Sequence, residues 1–192
     1  MNPAQLERHS MPDLSHLYER SILNVLLDSL VGRSQVPTDY PNRGCWMNLV
    51  RLTDKALVEY NLASQSLNTW IERKNQGVFS ALFKGIDHFE NCVVSTHRAI
   101  LMTDRLRATG VLRRAPRATD RQRDQLRKIR NHIEHTDEKV SDGRIRPPEP
   151  FFLTPGQTRI ELGPARLSYR DLASCITKLY RSVEVIRGAP NA

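Results

Sequence analysis

Apolar residues along most of the chain recur at intervals of three and four, which is typical of helices that bury one face. This pattern predicts helices over residues 12–31, 47–73, 78–108 and about 120–140, and a last helix from about residue 168. Stretches rich in Gly, Pro and Asn separate these segments. We therefore expect an all-α protein whose helices pack side by side.

The connections between the predicted helices are short, so consecutive helices should run antiparallel. The tightest connection is residues 74–77, whereas residues 36–44 contain two prolines and a glycine and should be irregular. A chain of 192 residues without internal repeats fits a single domain, here 1–192 with a core over about 12–187. The predicted architecture is an antiparallel bundle of four to five helices.

Residues 147–167 depart from the helical pattern. Three prolines and the β-prone run 151–153 are followed by Pro155-Gly156 and then by a second β-prone run, 158–162. This composition predicts an insertion before the last helix. Two forms are open, a small β-hairpin or an extended loop.

The helix over 78–108 carries a broad apolar stripe. We expect its inner face to consist of Phe79, Leu82, Phe83, Ile86, Phe89, Val93 and Ile100. His97 falls on this stripe, and a core histidine with satisfied hydrogen bonds is the more common explanation for such a position. His88 lies off the stripe and should be exposed.

The helix from about 120 to 140 is the most polar. Thr119-x-x-Gln122 has the form of a capping box, which predicts the helix start near Asp120. Its buried stripe is short and consists of Leu126, Ile129 and Ile133. Polar side chains cover the neighbouring side of the helix. A row on that side is formed by Arg127, Asn131 and His135, and the edge of this row is formed by Arg130 and Glu134. This face is available for chemistry or for association.

The net charge of +8 is concentrated in one part of the sequence. Residues 98–130 contain eleven Arg or Lys and three Asp or Glu, and the rest of the chain is balanced. Such a patch favours a phosphate-bearing partner, although a solvated helix face would have the same composition. The candidate RNA-binding side chains precede or begin the polar helix: Arg113, Arg114, Arg117, Arg121 and Arg123.

Other features of the sequence bear on the cellular compartment in which the protein is expected. The first ten residues lack the pattern of a secretory signal, and no run approaches the roughly 18 apolar residues of a membrane span. The cysteines Cys45, Cys92 and Cys175 are far apart and odd in number, as expected for small buried residues in a reducing compartment. We expect a cytoplasmic protein that does not contact a membrane.

The segment Arg130-Asn131-x-x-x-His135 resembles the R-x4-H motif of the HEPN superfamily, in which a polar residue often follows the arginine. The tight resemblance covers six residues, and the predicted helical architecture is compatible with it. Arg127 and His132 stand in the same spacing, so a second register is open. The Arg130 register is preferred because Asn131 fits the family's pattern.

HEPN proteins are small helical bundles, and many are metal-independent ribonucleases of toxin–antitoxin or antiviral systems. The resemblance implies His135 as catalytic base or acid, Arg130 as phosphate clamp and Asn131 as an orienting group. It also implies RNA as substrate, a homodimer that brings two motifs together, and a cognate antitoxin as a further partner. Supporting roles fall to Arg127, His132 and Glu134; Glu134 would hold an imidazole or an arginine of the partner subunit.

RNA cleavage of this kind requires little apparatus, because the 2′-hydroxyl is itself the nucleophile and histidine can move the protons. No metal or other cofactor is implied. His132-x-x-His135 offers two imidazoles, but no third metal ligand is evident. The alternative is a non-catalytic HEPN-like module that binds RNA or a protein, since a fold does not determine function.

Overall fold

A computed structural model describes residues 6–20, 36–77, 79–144 and 152–187. Within these ranges the chain is mostly helical, with a small antiparallel sheet before the last helix. This confirms the predicted helical class and the predicted insertion. No helix of the described part is both long enough and apolar enough to cross a bilayer.

The regular elements are five α-helices and three strands among the described residues. The helices are α1 (Tyr40–Arg73), α2 (Phe79–Ala108), α3 (Asp120–Glu134), α4 (Thr136–Ser141) and α5 (Tyr169–Arg187). The strands are β1 (Thr154–Pro155), β2 (Arg159–Leu162) and β3 (Ala165–Ser168). Of the first predicted helix, Ser15–Arg20 forms a 3-10 helix and residues 21–31 lie outside the described ranges.

Helix α1 begins seven residues before the predicted Met47, so the expectation of an irregular connection over residues 40–44 is wrong. The Asp39 carboxylate caps the helix by accepting a 3.0 Å hydrogen bond from the backbone N–H of Asn42. Pro41 lies in the first turn, where no intrahelical N–H donor is required. Pro41 is therefore part of the first turn of α1 and does not interrupt the helix.

Helices α1 and α2 pack together more extensively than any other pair of described elements. The turn between them contains Gly77 with φ of 71°, a conformation that glycine adopts without strain. Gly85 lets the helices approach, because a Cβ at that position would lie 3.3 Å from Cδ2 of Leu67. Helix α5 packs against both members of this pair, and α3 packs against α2.

The predicted inner face of α2 is confirmed except at its beginning. Leu82, Ile86 and Phe89 are buried, but the side chains of Phe79 and Phe83 are about half exposed, at 54% and 52%. The two exposed rings lie at the rim of the bundle, where Phe79 packs against Trp70 and Phe83 against Phe152. Each is therefore covered on one side only.

The sheet is larger than the hairpin predicted by sequence. β1 pairs with β2 and β2 pairs with β3, both antiparallel. The third strand was missed because Gly163-Pro164 makes a turn of only two residues, with Gly163 at φ of 56°. Ser168 then caps α5 by accepting a hydrogen bond from the Asp171 N–H, so the sheet leads directly into the last helix.

Candidate functional site

The start of α3 is fixed by the predicted capping box, which is confirmed. The Thr119 hydroxyl accepts from the Gln122 N–H at 3.2 Å, and the Gln122 side chain accepts from the Thr119 N–H at 3.0 Å. Leu126 and Ile129 are fully buried, and Ile133 is partly buried against the same core. These contacts set the rotation of α3 and leave its polar residues at the surface.

The polar helix was predicted to continue to about Val140, but it ends at Glu134. His135 is the capping residue, with φ of −115° and ψ of 16°, and the short helix α4 follows. The Thr136 hydroxyl donates to the His132 carbonyl at 2.5 Å and so takes the acceptor that an unbroken helix would use. His135 therefore lies at a break in the helix.

The Arg130 guanidinium is held by its own helix. One terminal nitrogen donates to Oδ1 of Asn131 at 3.1 Å, and the other forms an ion pair with Oε2 of Glu134 at 2.5 Å. About a third of the side chain is exposed. Glu134 thus binds an arginine of its own chain, where we expected an imidazole or an arginine of a partner subunit.

His135 presents an accessible imidazole. Half of its side chain is exposed, and Nδ1 lies 3.1 Å from Oε2 of Glu138. A carboxylate at this distance favours the tautomer with a proton on Nδ1, which leaves Nε2 able to take a proton from a ligand. The ring is thus oriented by a neighbour and still open to solvent.

His132 is in a different environment although it is only three residues away. Its Nδ1–H donates to the Lys128 carbonyl at 2.9 Å in the tautomer that fits this acceptor. The ring lies beside the turn between β2 and β3. A β-carbon placed on Gly163 of that turn would lie 3.4 Å from Cδ2 of His132. These contacts indicate a role in packing α3 on the sheet.

Arg127 and Asn131 are exposed beside this pair. A terminal nitrogen of Arg127 donates to Oδ1 of Asp124 at 2.8 Å, and Lys128 binds the same carboxylate at 2.7 Å. The hydrogen bonds from Lys128 and Arg127 lower the pKa of Asp124. Arg127 is therefore a surface charge that shares an acidic partner.

The five predicted RNA-binding arginines fall into two groups. Arg113 and Arg114 are exposed and form no ion pair with a described residue, while Arg117 and Arg121 have distant carboxylates at 3.9 and 3.8 Å. Arg123 is different, because both terminal nitrogens bind the Asp104 carboxylate of α2 in a partly buried pair. Arg123 thus joins α3 to α2, and the other four present their charge to solvent.

Further positive charge, not singled out from the sequence, lies at the same end of the bundle. Arg43, Arg98 and Arg105 line an open groove of about 590 Å³ between the start of α1 and the end of α2. The Thr109 hydroxyl donates to the Asn42 side chain at 2.8 Å and so fixes the start of α1 beside the basic loop 110–118. Arg43 was missed because it is isolated in the sequence.

The two histidines of α2 were also misjudged. His88 is partly buried, with Nδ1 2.7 Å from Oε2 of Glu59 on α1. His97 is half-buried, but its Nδ1 is enclosed without a hydrogen-bond partner among the described residues, so it is not a satisfied core histidine. The sequence held no usable signal for His97, because its environment depends on the register between α2 and α3.

The arrangement around α3 supplies a cation and an imidazole close in sequence at one helix end. In the described part of the chain, no three His, Cys, Asp or Glu side chains are grouped so that they could hold a metal ion. Comparison with protein-family models, with curated proteins and with solved structures finds no match to this chain.

Proposed function

We propose that this protein is a metal-independent endoribonuclease of HEPN type. The observation that carries the proposal is the setting of Arg130 and His135 at the end of α3. Arg130 is oriented by two polar neighbours, and the side chain of His135 is half exposed while Glu138 holds its Nδ1. The R-x4-H resemblance adds a known chemistry that uses these two side chains.

In this reaction the 2′-oxygen of RNA loses its proton to a neutral imidazole and attacks the adjacent phosphorus. The bond from phosphorus to the 5′-oxygen breaks, and a protonated imidazole donates to that oxygen. The products are a 2′,3′-cyclic phosphate and a 5′-hydroxyl. Arg130 would stabilise the negative charge that accumulates on the phosphorane, because guanidinium stays charged and presents several donors.

The strand would reach this site from the basic end of the molecule. Arg121 precedes Arg130 by nine residues, which is about 14 Å along α3, and Arg113, Arg114 and Arg117 precede the helix. They are too far away to share one phosphate with Arg130. Their proposed role is to neutralise flanking phosphates of the same RNA.

We further propose a homodimer, in which the exposed row of α3 meets its counterpart so that two motifs form one composite cleft. The motif supplies one accessible histidine per chain, whereas the reaction uses an acid and a base. Light scattering at micromolar concentration should give the mass of a dimer. The His135→Ala variant should have the same mass, so that its loss of activity can be assigned to chemistry. A monodisperse monomer would contradict the composite site.

The proposal is tested most directly by removing divalent cations. Purified protein should cleave single-stranded RNA at the same rate with and without excess EDTA, because histidine and arginine perform the chemistry. A contaminating metal-dependent nuclease would lose its activity in EDTA. Cleavage that requires added metal would contradict the proposed mechanism.

One observation favours the alternative, a non-catalytic module that binds RNA or a protein. The terminal nitrogens of Arg130 are already bound by Asn131 and Glu134, so a phosphate has to compete for them. RNA binding without cleavage in either condition would support this alternative. In both cases we propose a cytoplasmic protein, and for the nuclease a role as a toxin or antiviral effector with a cognate antitoxin.

A further inference from the structure

Two buried nitrogen atoms near the candidate site have no hydrogen-bond partner among the residues that the structure describes. They are Nδ1 of His97 on α2 and Nε of Arg130 on α3. The Nε of arginine is always a donor, and the unprotonated nitrogen of a neutral imidazole is an acceptor. Buried polar atoms without partners are uncommon in folded proteins, and each needs an explanation. Here the two atoms are chemically complementary.

The register of the two helices brings these residues to the same place. Asp104 of α2 binds Arg123 of α3. His97 precedes Asp104 by seven residues, and Arg130 follows Arg123 by seven, which is close to two turns in each case. Two residues separated by two turns share a helix face, so antiparallel packing that aligns Asp104 with Arg123 also aligns His97 with Arg130.

The charge state of His97 fits an acceptor. Burial lowers its pKa from 6.5, and the positive charge of Arg130 lowers it further. The other charged groups that act on the ring are also on α3: Glu134 raises the pKa, and Arg123 and Arg127 lower it. The ring is therefore neutral at pH 7, with one nitrogen able to accept.

We propose that His97 is a positioning residue for Arg130: its Nδ1 accepts the Nε–H of Arg130, directly or through one water, when a phosphate of RNA occupies the terminal guanidinium nitrogens. This inference rests on the proposed function for the identity of the ligand. The phosphate replaces Glu134 and Asn131 at those nitrogens and leaves Nε as the donor by which the protein can orient the guanidinium. His97 thereby fixes the plane in which the fork of donors meets the phosphate.

The test compares three variants bound to a short oligonucleotide in which the 2′-hydroxyl at the cleavage position is replaced by hydrogen. His97→Gln keeps an uncharged acceptor, and His97→Leu keeps the approximate size without one. His88→Gln is the matched control, because His88 is also a partly buried histidine of α2 but pairs with Glu59 of α1. Circular dichroism establishes that each variant retains its helical content.

The measured quantity is the exchange rate of the Arg130 Nε–H in the complex, followed by NMR. Exchange should be slow in wild type, His97→Gln and His88→Gln, and faster by about tenfold to about a hundredfold in His97→Leu, as for the loss of one hydrogen bond that involves a charged group. Equal exchange in wild type and His97→Leu would overturn the proposed role. Failure of the oligonucleotide to bind would overturn it too.

The pH dependence separates a hydrogen bond from simple packing. A protonated imidazole cannot accept from Nε–H, so protection relative to intrinsic exchange should be present at pH 7 and lost as the pH falls below the lowered pKa of His97. In His97→Gln the protection should not change over this range. A pH-independent wild type would contradict the inference.

The outcome is also distinguishable from failure of the proposed function. If wild type binds the oligonucleotide and protects Nε–H through His97 but does not cleave RNA, the positioning role stands and the nuclease is wrong. If wild type cleaves RNA without a metal and exchange is indifferent to His97, the nuclease stands and the positioning role is wrong.

Discussion

Replacing His135 by alanine should lower the rate of RNA cleavage by about 10²–10⁴-fold, the usual contribution of a general acid or base. His132→Ala should keep appreciable activity. The physical reason is the difference between the two rings: His135 is half exposed and its Nδ1 lies beside Glu138, whereas His132 is bound to the Lys128 carbonyl and packed on the Gly163 turn. An RNA integrity gel of the two variants beside wild type measures the ranking.

The reverse ranking would show that Arg127 and His132 are the working pair. Because His132 packs α3 on the sheet, His132→Ala should lower the free energy of unfolding more than His135→Ala does. Thermal unfolding of both variants is therefore the necessary control. An inactive His132→Ala protein that is also unfolded would not count against the Arg130 register, so activity is compared at a temperature where both are folded.

Arg130→Ala should reduce the single-turnover rate at saturating RNA by about 10²–10³-fold, because its charge acts where the transition state is most negative. Arg113→Ala, Arg114→Ala and Arg117→Ala should instead weaken binding, with each lowering the salt slope by somewhat less than one unit on single strands. Saturating RNA should restore the rate of these loop variants but not that of Arg130→Ala.

A control variant for this comparison should remove an exposed arginine that forms no ion pair within the described part of the chain. Arg73→Ala removes an exposed arginine at the end of α1, at the opposite end of the α1–α2 pair from the basic loop, and should change neither quantity. Arg123→Ala is unsuitable as an RNA-binding control because it breaks the pair with Asp104 and loosens α3 on α2. A loop variant whose rate is not restored by saturation, or an Arg130→Ala protein that is rescued by more RNA, would contradict this division of roles.

Sequence predicted the parts of this fold that depend on local rules. The capping box at Thr119 and the turn at residues 74–77 each involve residues that are close together in the sequence, and both are found in the structure. Helix ends at which a side-chain oxygen hydrogen-bonds to the backbone were harder to predict. Asp39 starts α1 early, and Thr136 ends α3 early, in each case through one side-chain oxygen that meets the backbone.

The sequence predicted those contacts of the candidate site that are made within a single helix. Arg130, Asn131 and Glu134 are neighbours on α3, so their association follows from helical spacing. Partners on other helices cannot be obtained in this way, because a sequence gives no register between helices. For that reason Arg123 was assigned to RNA before Asp104 was known to bind it, and His97 was assigned to the core.

The break at His135 separates α4 from α3, so α4 can open and close independently of α3. Helix α4 has six residues, none of them buried, so it can open locally at far less free energy than global unfolding requires. Opening removes Glu138 from the imidazole and leaves α3 intact. The fraction of molecules with α4 closed would then multiply the activity that we propose for the site. A second subunit that covers α4 would raise this fraction, so assembly and activation would be one equilibrium.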